Sequence, residues 1–172
     1  MRKLILNVAV SLDGLIEGPN GEYDWCFTDQ DYGMKAFFNR IDAVFMGRKS
    51  YDLMLSLENG MGDFPKMEQY VFSKSLQEGA PGWTLVRGNV DEQVREIKGR
   101  PGKDIWLFGG AVLTANLLHA GLVDELSLAV HPIVLGSGKP LFSSIPDRMK
   151  LNLLDAKTYS SGLIILTYTI PS

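Results

Sequence analysis

Short apolar runs, each closed by a polar or glycine-rich segment, recur along the first part of the chain. Runs of this kind are typical of strands that are buried on both faces of a sheet. The pattern predicts four such strands, at residues 4–10, 43–46, 70–72 and 105–108. Between and after them, apolar residues recur at helical spacing, which predicts helices at residues 31–40, 49–57, 91–98 and 112–121.

The pattern changes after Val123, where strand-like stretches follow one another without a helix between them. Residues 126–134 are predicted to form one strand, and residues 151–159 and 163–170 a hairpin around Ser160-Ser161-Gly162. Alternation of strands with helices indicates parallel pairing, whereas strands joined by a turn indicate antiparallel pairing. We therefore expect a single α/β domain over residues 1–172, with a mainly parallel mixed sheet, an antiparallel C-terminal edge and helices on both faces.

Composition and charge exclude several classes of protein. The chain has 172 residues, 45% hydrophobic and 22% charged, a balance typical of a folded domain rather than a disordered segment. Its 17 basic and 20 acidic side chains give a net charge of −3 without a run of like charge, so neither nucleic acid nor a membrane surface is expected as a partner. No apolar stretch approaches the roughly 18 residues that span a bilayer. The single cysteine, Cys26, cannot form an internal disulfide, so we expect a cytoplasmic location.

Polar loops that follow three of the predicted strands share the features of phosphate-binding sites. Gly47-Arg48-Lys49-Ser50 follows one strand and opens a helix, which offers free backbone N–H groups, two cations and a hydroxyl. Gly109-Gly110 follows a second strand, and Ser73-Lys74 follows a third. Each loop alone is explained as well by turn sterics and solvated surface charge. Their coincidence at strand ends, where open α/β sheets bind ligands, predicts a dinucleotide site.

Other sequence motifs for chemistry fail on inspection. No G-x-G-x-x-G follows a strand, and the segment around 136–140 lacks both the first glycine and the magnesium-binding hydroxyl of a P-loop. His119 and His131 are the only histidines and have no cysteine or carboxylate constellation at metal-ligand spacing, so no metal is expected. Cys26 lacks an obvious histidine partner and is expected to be a packing or surface residue rather than a nucleophile.

Five segments carry a resemblance that covers nearly the whole chain. They read V-S-L-D-G-L-I at 10–16, M-G-R-K-S-Y at 46–51, F-S-K at 72–74, L-F-G-G-A at 107–111 and L-G-S-G-K-P-L-F at 135–142. In this order they resemble the dihydrofolate reductase-like fold, and most closely the reductase domain of bacterial riboflavin biosynthesis. The resemblance implies that the mixed sheet has this fold.

The resemblance also implies NADPH as the cofactor. In such proteins the Gly-Arg and Ser-Lys loops hold the side of NADPH that carries the 2′-phosphate, and the Gly-Gly turn approaches the pyrophosphate. The loop at 11–14, with Ala9 and Ile16 near it, resembles the segment that lies over the nicotinamide and moves during turnover. The other cofactor-binding residues implied are Gly47, Arg48, Lys49, Ser50, Ser73, Lys74, Phe108, Gly109, Gly110, Ala111 and Val112.

The substrate side departs from the folate enzymes, and from these 172 residues we expect a reductase domain without the deaminase domain that is often fused to the riboflavin enzyme. In the folate enzymes a carboxylate on the first helix holds the pterin ring, and Asp31 is similar in position, although the spacing also permits Asp29 or Asp24. We take Asp31 as the candidate catalytic residue, a proton donor partly desolvated beside aromatic rings. An aspartate at the start of a helix is explained equally well as a cap.

These features and the resemblance together predict an NADPH-dependent reductase that acts on a small heterocyclic or carbonyl compound. The model substrate is the phosphorylated pyrimidine of the riboflavin pathway, 5-amino-6-(5-phosphoribosylamino)uracil. Two alternatives are a true dihydrofolate reductase and a non-catalytic nucleotide-binding protein of the same fold. The resemblance also implies a homodimer. The strongly apolar segment 163–170 is consistent with a homodimer because a half-covered sheet needs a partner.

Overall fold

The computed structural model describes residues 1–172 and contains ten strands and four helices. None of the helices combines the length and the apolar character needed to cross a membrane. The helices are α1 (Met34–Arg40), α2 (Arg48–Ser56), α3 (Val90–Gly99) and α4 (Ala111–His119). The strands are β1 (Leu4–Ser11), β2 (Leu15–Glu17), β3 (Ile41–Gly47), β4 (Glu68–Phe72), β5 (Trp83–Val86), β6 (Asp104–Gly109), β7 (Glu125–His131), β8 (Lys139–Pro140), β9 (Asn152–Thr158) and β10 (Ile164–Thr169).

Eight of the strands form one sheet in the order β5-β4-β3-β6-β1-β7-β10-β9. The first six in this order run parallel to one another, whereas β10 is antiparallel to both β7 and β9. β2 and β8 form a separate short antiparallel pair. The prediction of a mainly parallel mixed sheet with an antiparallel C-terminal edge is therefore confirmed.

Helices cover both faces of the sheet, as predicted. On one face, Val94 of α3 and Leu117 of α4 belong to a cluster of 20 buried residues. On the other face, Met54 of α2 belongs to a smaller cluster of eight, and Phe37 of α1 packs against it. On this second face, no helix covers strands β1, β7 and β10, and a cleft lies over them.

β1 lies between β6 and β7, and its side chains alternate between the two faces of the sheet. Leu4 and Leu6 are fully buried in the larger core cluster. Asn7 and Ala9 point to the opposite face, where they line the cleft. One strand thus supplies both core packing and the floor of the cleft.

α1 begins at Met34, three residues later than the sequence pattern predicts. Tyr32 and Gly33 have φ values of 49° and 78°, and residues in this left-handed region cannot belong to a right-handed helix. The prediction that Asp31 lies inside the helix is therefore wrong, although the apolar positions Met34 and Phe37 are helical as predicted.

β7 ends at His131, three residues before the predicted end, because Pro132 has no backbone N–H to donate to the sheet. The predicted elements also miss β2, β5 and β8. These strands have three, four and two residues, which is too short for an alternating pattern to be recognised.

Candidate active site

The parallel strands β3, β4, β5 and β6 end at the same edge of the sheet, and a cleft of about 610 Å³ lies there. We call it the sheet-end cleft. It forms at this edge because the loops that leave these strands turn into helices or into the next connection, as at the ligand sites of other open α/β sheets. The polar and glycine residues that line it include Gly47, Arg48, Lys49, Ser73, Lys74, Arg87, Gly88, Gly110, Asn116 and Lys139.

Two helices begin at this cleft directly after a glycine. α2 begins after Gly47 and α4 after Gly110, and neither helix has an acidic residue in its first turn or a side-chain cap. Their first backbone N–H groups and the positive ends of their dipoles therefore remain available to an anion. A Cβ added at Gly47 would lie 3.4 Å from the backbone nitrogen of Gly110, so the two helix starts are packed closely together.

Five cationic side chains line the sheet-end cleft, whereas Asp91 is its one acidic residue. Arg48 is held in place, since its Nε donates to both carboxylate oxygens of Asp52 at 3.0 and 3.1 Å. Its Nη1 also reaches Ser75 Oγ at 3.4 Å. The excess of positive charge suits a ligand with several phosphate groups. The five cations are Arg48, Lys49, Lys74, Arg87 and Lys139.

A second cleft, of about 640 Å³, opens on the face of the sheet that carries α1. We call it the aromatic cleft. Thirteen of its 22 lining residues are hydrophobic, and the strand residues Asn7, Ala9, Ser127 and Ala129 form its floor. Six aromatic side chains stand around this floor: Phe27, Tyr32, Phe37, Trp106, Phe108 and Tyr159.

His131 fixes one wall of the aromatic cleft, and its side chain is buried. Its Nε2 accepts a hydrogen bond from the backbone N–H of Phe27 at 3.1 Å, and its Nδ1 lies 2.9 Å from the carbonyl oxygen of Ala129. This pattern fits the neutral ring with its proton on Nδ1. The rings of Trp25 and Phe27 pack edge-on against the imidazole. His131 therefore ties an irregular loop to the end of β7.

Tyr32 and Cys26 lie on the same irregular loop. The Tyr32 hydroxyl donates to Asp29 Oδ1 at 2.7 Å and lies 2.9 Å from Ser161 Oγ. Burial raises the pKa of Tyr32. Burial is also the main cause that raises the pKa of Cys26, with a smaller contribution from the charge of Asp24. A raised pKa disfavours the thiolate, so the environment of Cys26 does not activate it as a nucleophile.

The loop after β1 is tied to the loop after β7 by the carboxylate of Asp13. Asp13 accepts a hydrogen bond from the Ser11 hydroxyl at 2.7 Å and from the backbone N–H groups of Leu135 at 3.1 Å and Gly136 at 2.8 Å. These bonds, chiefly the one from Ser11, lower the pKa of Asp13 to about 2. The carboxylate is therefore ionised at neutral pH and holds the two loops together.

The two clefts adjoin at the end of β6. Phe108 lines the aromatic cleft and Gly110 lines the sheet-end cleft, with only Gly109 between them. Gly109 has a φ of 119°, a conformation that favours glycine. A ligand in one cleft would thus end close to a ligand in the other. The structure has no group of three or more His, Cys, Asp or Glu side chains that could hold a metal ion.

Comparison with known families shows the family of the chain. Residues 2–165 match the sequence model of the RibD C-terminal domain. The chain belongs to the RibD C-terminal domain family. This match, together with the structures described next, confirms the resemblance that the five sequence segments indicate.

This RibD C-terminal domain is 43% identical to the uncharacterized protein YyaP of Bacillus subtilis (strain 168), over 97% of the present chain and 94% of YyaP. Among solved structures, a Shewanella sp. PV-4 protein assigned to riboflavin biosynthesis superposes over the whole of both chains, with a TM-score of 0.86 and 27% identity. Dihydrofolate reductase from Enterococcus faecalis, complexed with NADP(H), has a TM-score of 0.71 and 17% identity, over 99% of this chain and 97% of that one. The dihydrofolate reductase-like fold is therefore confirmed.

The structure of this RibD C-terminal domain brings most of the cofactor-binding residues implied by the resemblance into one place. Ala9 and Phe108 line the aromatic cleft instead. Ser50, Gly109 and Ile16 line neither cleft, and the Ile16 side chain packs against the larger core cluster. The residues that do line the sheet-end cleft are Gly47, Arg48, Lys49, Ser73, Lys74, Gly110, Ala111 and Val112.

Asp31 lines the aromatic cleft, but it is exposed rather than partly desolvated as expected. Its carboxylate oxygens accept hydrogen bonds from the backbone N–H of Lys35 at 3.2 and 3.3 Å, near the start of α1. These hydrogen bonds support the interpretation of Asp31 as a cap. A catalytic role for Asp31 stays a prediction.

Two cations of the sheet-end cleft, Arg87 and Lys139, are not among the site residues predicted from the sequence. Arg87-Gly88 directly follows β5. The polar loops of the site are predicted because they follow predicted strands, and β5 is not among those strands. Lys139 lies in segment 135–142, which carries part of the family resemblance but to which no cofactor-binding role is assigned. The floor residues Asn7 and Ser127 are not predicted either, because a strand pattern does not say which polar residue faces a cleft.

Proposed function

We propose that this RibD C-terminal domain is an NADPH-dependent reductase that acts on a small heterocyclic or carbonyl compound. The observation that supports the proposal most directly is that a cationic cleft and an aromatic cleft adjoin at the end of β6, between Phe108 and Gly110. A two-substrate enzyme needs two such adjoining sites, one for the phosphate-bearing cofactor and one for the compound that is reduced.

The residues of the sheet-end cleft suit NADPH in chemistry and in shape. Arg48, Lys74 and Arg87 supply positive charge for a 2′-phosphate, and the first N–H groups of α2 and α4 suit a pyrophosphate. Gly47 and Gly110 keep side chains away from the closely packed helix starts. The complex of Enterococcus faecalis dihydrofolate reductase with NADP(H), which shares this fold, also favours a nicotinamide cofactor.

NADPH, when bound, supplies a hydride to a C=N or C=O bond and is oxidised in turn, and the reduced bond also needs one proton. The chain itself binds and orients both partners. Ala9 and Phe108 line the part of the aromatic cleft nearest the end of β6, where we place the reacting ring. Asp31 at the mouth of this cleft is the proposed proton donor.

The proposal is tested by a screen of pyrimidine, pterin and carbonyl compounds as oxidants of NADPH. Oxidation is measured as the loss of the absorbance of the reduced nicotinamide. Oxidation that depends on one class of compound supports the reductase. Binding of NADPH without oxidation by any compound would indicate a non-catalytic nucleotide-binding protein. Tight binding of methotrexate with turnover of dihydrofolate would indicate a dihydrofolate reductase.

We also propose a homodimer and, from the single cysteine, a cytoplasmic location. The apolar strand that motivated the homodimer, now β10, is paired on both sides, so the exposed apolar surface lies on the next strand instead. β9 forms one edge of the sheet, β5 being the other, and all seven residues of β9 are exposed. Leu153 and Leu154 on this strand are 58% and 56% exposed. An open edge with large apolar side chains favours association with a second copy.

A further inference from the structure

We infer that the aromatic cleft takes a flat heterocycle that carries no phosphate group, and that Asn7 and Ser127 bind the edge of that ring. The inference rests on the proposed reductase function and narrows its substrate class. It departs from the phosphorylated pyrimidine that serves as the model substrate. Three features of the cleft support it: its charge, its aromatic walls and the polar residues of its floor.

Charge is distributed very differently between the two clefts. The sheet-end cleft has five cations and one acidic residue. The aromatic cleft has one cation, Lys157, and two acidic residues, Asp31 and Asp155. The ammonium group of Lys157 lies 5.2 Å from the centre of the Tyr159 ring, where it makes a cation–π contact rather than standing free. A phosphate dianion would meet net negative charge here, so binding of a phosphorylated ligand is disfavoured.

The walls of the aromatic cleft offer ring faces and ring edges to a ligand. Phe37 and Phe108 each pack against Trp106, with ring centres 5.7 and 5.1 Å apart. On the other side, Tyr32 packs edge-on against Tyr159 at 4.8 Å. These contacts hold the side chains in place before a ligand binds. A preorganised cleft between aromatic walls favours a flat ring system over a branched or highly solvated compound.

A row of polar side chains crosses four strands on the face of the sheet that carries the aromatic cleft. Asn7 of β1 is paired with Ser127 of β7, Ser127 with Thr167 of β10, and Thr167 with Asp155 of β9. Because paired residues of adjacent strands point to the same face of a sheet, these four side chains share the face of the cleft.

Asn7, Ser127 and Asp155 line the aromatic cleft, and their side chains make no hydrogen bond to the rest of the protein. The backbone carbonyl of Asn7, in contrast, accepts a hydrogen bond from Trp106 Nε1 at 3.1 Å, which fixes the strand but leaves the Asn7 amide free. An amide and a hydroxyl side by side can donate to and accept from the edge of a heterocycle. Asn7 and Ser127 are half-buried, and half-buried polar groups without protein partners are the groups that a ligand is expected to satisfy.

The inference is tested by binding rather than by turnover. Protein loaded with NADP⁺ is titrated by calorimetry with two matched pairs, 5-amino-6-ribosylaminouracil and its 5′-phosphate, and uridine and uridine 5′-phosphate. The loaded cofactor keeps phosphates out of the sheet-end cleft. We expect the unphosphorylated member of at least one pair to bind about fivefold more tightly than its phosphate. Tighter binding of the phosphates, or no binding of any of the four compounds, would overturn the inference.

Two substitutions with matched controls assign the effect to the cleft. Asp155→Asn removes one negative charge from the floor and should reduce the preference against phosphate, whereas Asp147→Asn, on an exposed loop outside the cleft, should not change it. Asn7→Ala should weaken the unphosphorylated ligand roughly two- to tenfold and leave NADP⁺ affinity unchanged. Asn152→Ala, on β9 outside the cleft, is its control. If Asp147→Asn or Asn152→Ala reproduced the effect of its counterpart, the inference would fail.

These measurements separate the inference from the proposed function. If the predicted ligand preference is found but no compound of the screen oxidises NADPH, the substrate-site chemistry holds and the reductase proposal fails. If NADPH is oxidised by phosphorylated pyrimidines alone, the reductase proposal holds and the inference fails.

Discussion

The guanidinium group of Arg40 donates two parallel hydrogen bonds to the carboxylate of Glu125, at 2.7 and 2.9 Å. Arg40 ends α1 and Glu125 begins β7, so this pair joins the helix that borders the aromatic cleft to the strand that forms its floor. The Glu125 side chain is only 3% exposed, and Lys3 is its next nearest cation at 3.7 Å. The contact with Glu125 is the main cause that raises the pKa of Arg40.

Arg40→Ala is expected to lower the free energy of unfolding by about 2–4 kcal/mol, because it leaves a buried carboxylate without its main partner. Urea denaturation measures the change. The control is Arg100→Ala, which removes an exposed pair with Glu96 and a long hydrogen bond of 3.4 Å to the Tyr70 hydroxyl, and should cost less than about 1 kcal/mol. Equal losses in the two variants would show that the Arg40–Glu125 pair is worth no more than a surface contact.

Arg48→Ala is expected to weaken NADPH binding roughly tenfold or more and to leave NADH binding almost unchanged. A charge-assisted contact to the 2′-phosphate is worth about 1.5–3 kcal/mol, and NADH has no such phosphate. Fluorescence titration of both cofactors measures the difference. Arg95→Ala, an exposed arginine of α3 outside the cleft, is the control. Equal losses for NADPH and NADH would contradict the role of Arg48.

Gly110→Ala is expected to fold normally and to lose NADPH affinity. A Cβ at Gly110 would have only Ser50 Oγ near it, at 3.7 Å, and its φ of −86° is open to any residue. A methyl group in space that the cofactor occupies costs about 1–3 kcal/mol, so a loss of roughly tenfold is expected, and Gly110→Val should abolish binding.

Gly99→Ala is the matched control for this change, since a Cβ there meets nothing within 4 Å. Circular dichroism must show native helix content in both variants. A folded Gly110→Ala protein with unchanged NADPH affinity would show that the glycine is there for the turn alone.

Asp31→Asn is expected to lower turnover at saturating substrate by about a hundredfold and to flatten the acid limb of the pH profile, because Asn cannot donate the proton. NADPH affinity should not change. Asn also caps helices well, so thermal stability should be retained. An active Asp31→Asn enzyme with an unaltered pH profile would show that Asp31 only accepts the hydrogen bond from Lys35. The proton donor would then be water or the substrate itself.

Sedimentation at micromolar concentration is expected to give a dimer. Leu154→Lys, which places charge on the exposed edge strand β9, should shift the protein towards the monomer. Leu57→Lys is the control, because Leu57 is similarly exposed at 45% but lies just after α2. If the wild-type protein sediments only as a monomer, the prediction of a dimer is wrong. If both substitutions have equal effects, β9 is not the dimer interface.

The sheet-end cleft could be predicted largely from the sequence because its residues directly follow strands. Continuous apolar runs located β3, β4 and β6, and parallel strands bring their ends to one edge of the sheet. Gly47 and Gly110 were recognisable as residues that open a helix, and the same pattern extends to Arg87-Gly88 once β5 is known. A strand of four residues gives too little alternation for that step.

The aromatic cleft could not be predicted in the same way, because strands and a loop that are distant in the chain build it. Asn7 and Ser127 become neighbours only through the pairing of β1 with β7. Trp25 and Phe27 come from an irregular segment whose place is fixed by a hydrogen bond to His131. Local patterns carry no signal for such contacts. The sequence therefore predicts Asp31 beside aromatic rings, but not the strand residues and the loop that complete the cleft.

The alternation of β1 limits how this protein can change in length. Because Leu4 and Leu6 face the core while Asn7 and Ala9 face the cleft, inserting or deleting one residue within the strand would exchange the two sets. Leucines would then project into the ligand site, and an amide would enter the interior. A relative of this chain with a single-residue gap inside β1 would therefore lose the fold and the site together.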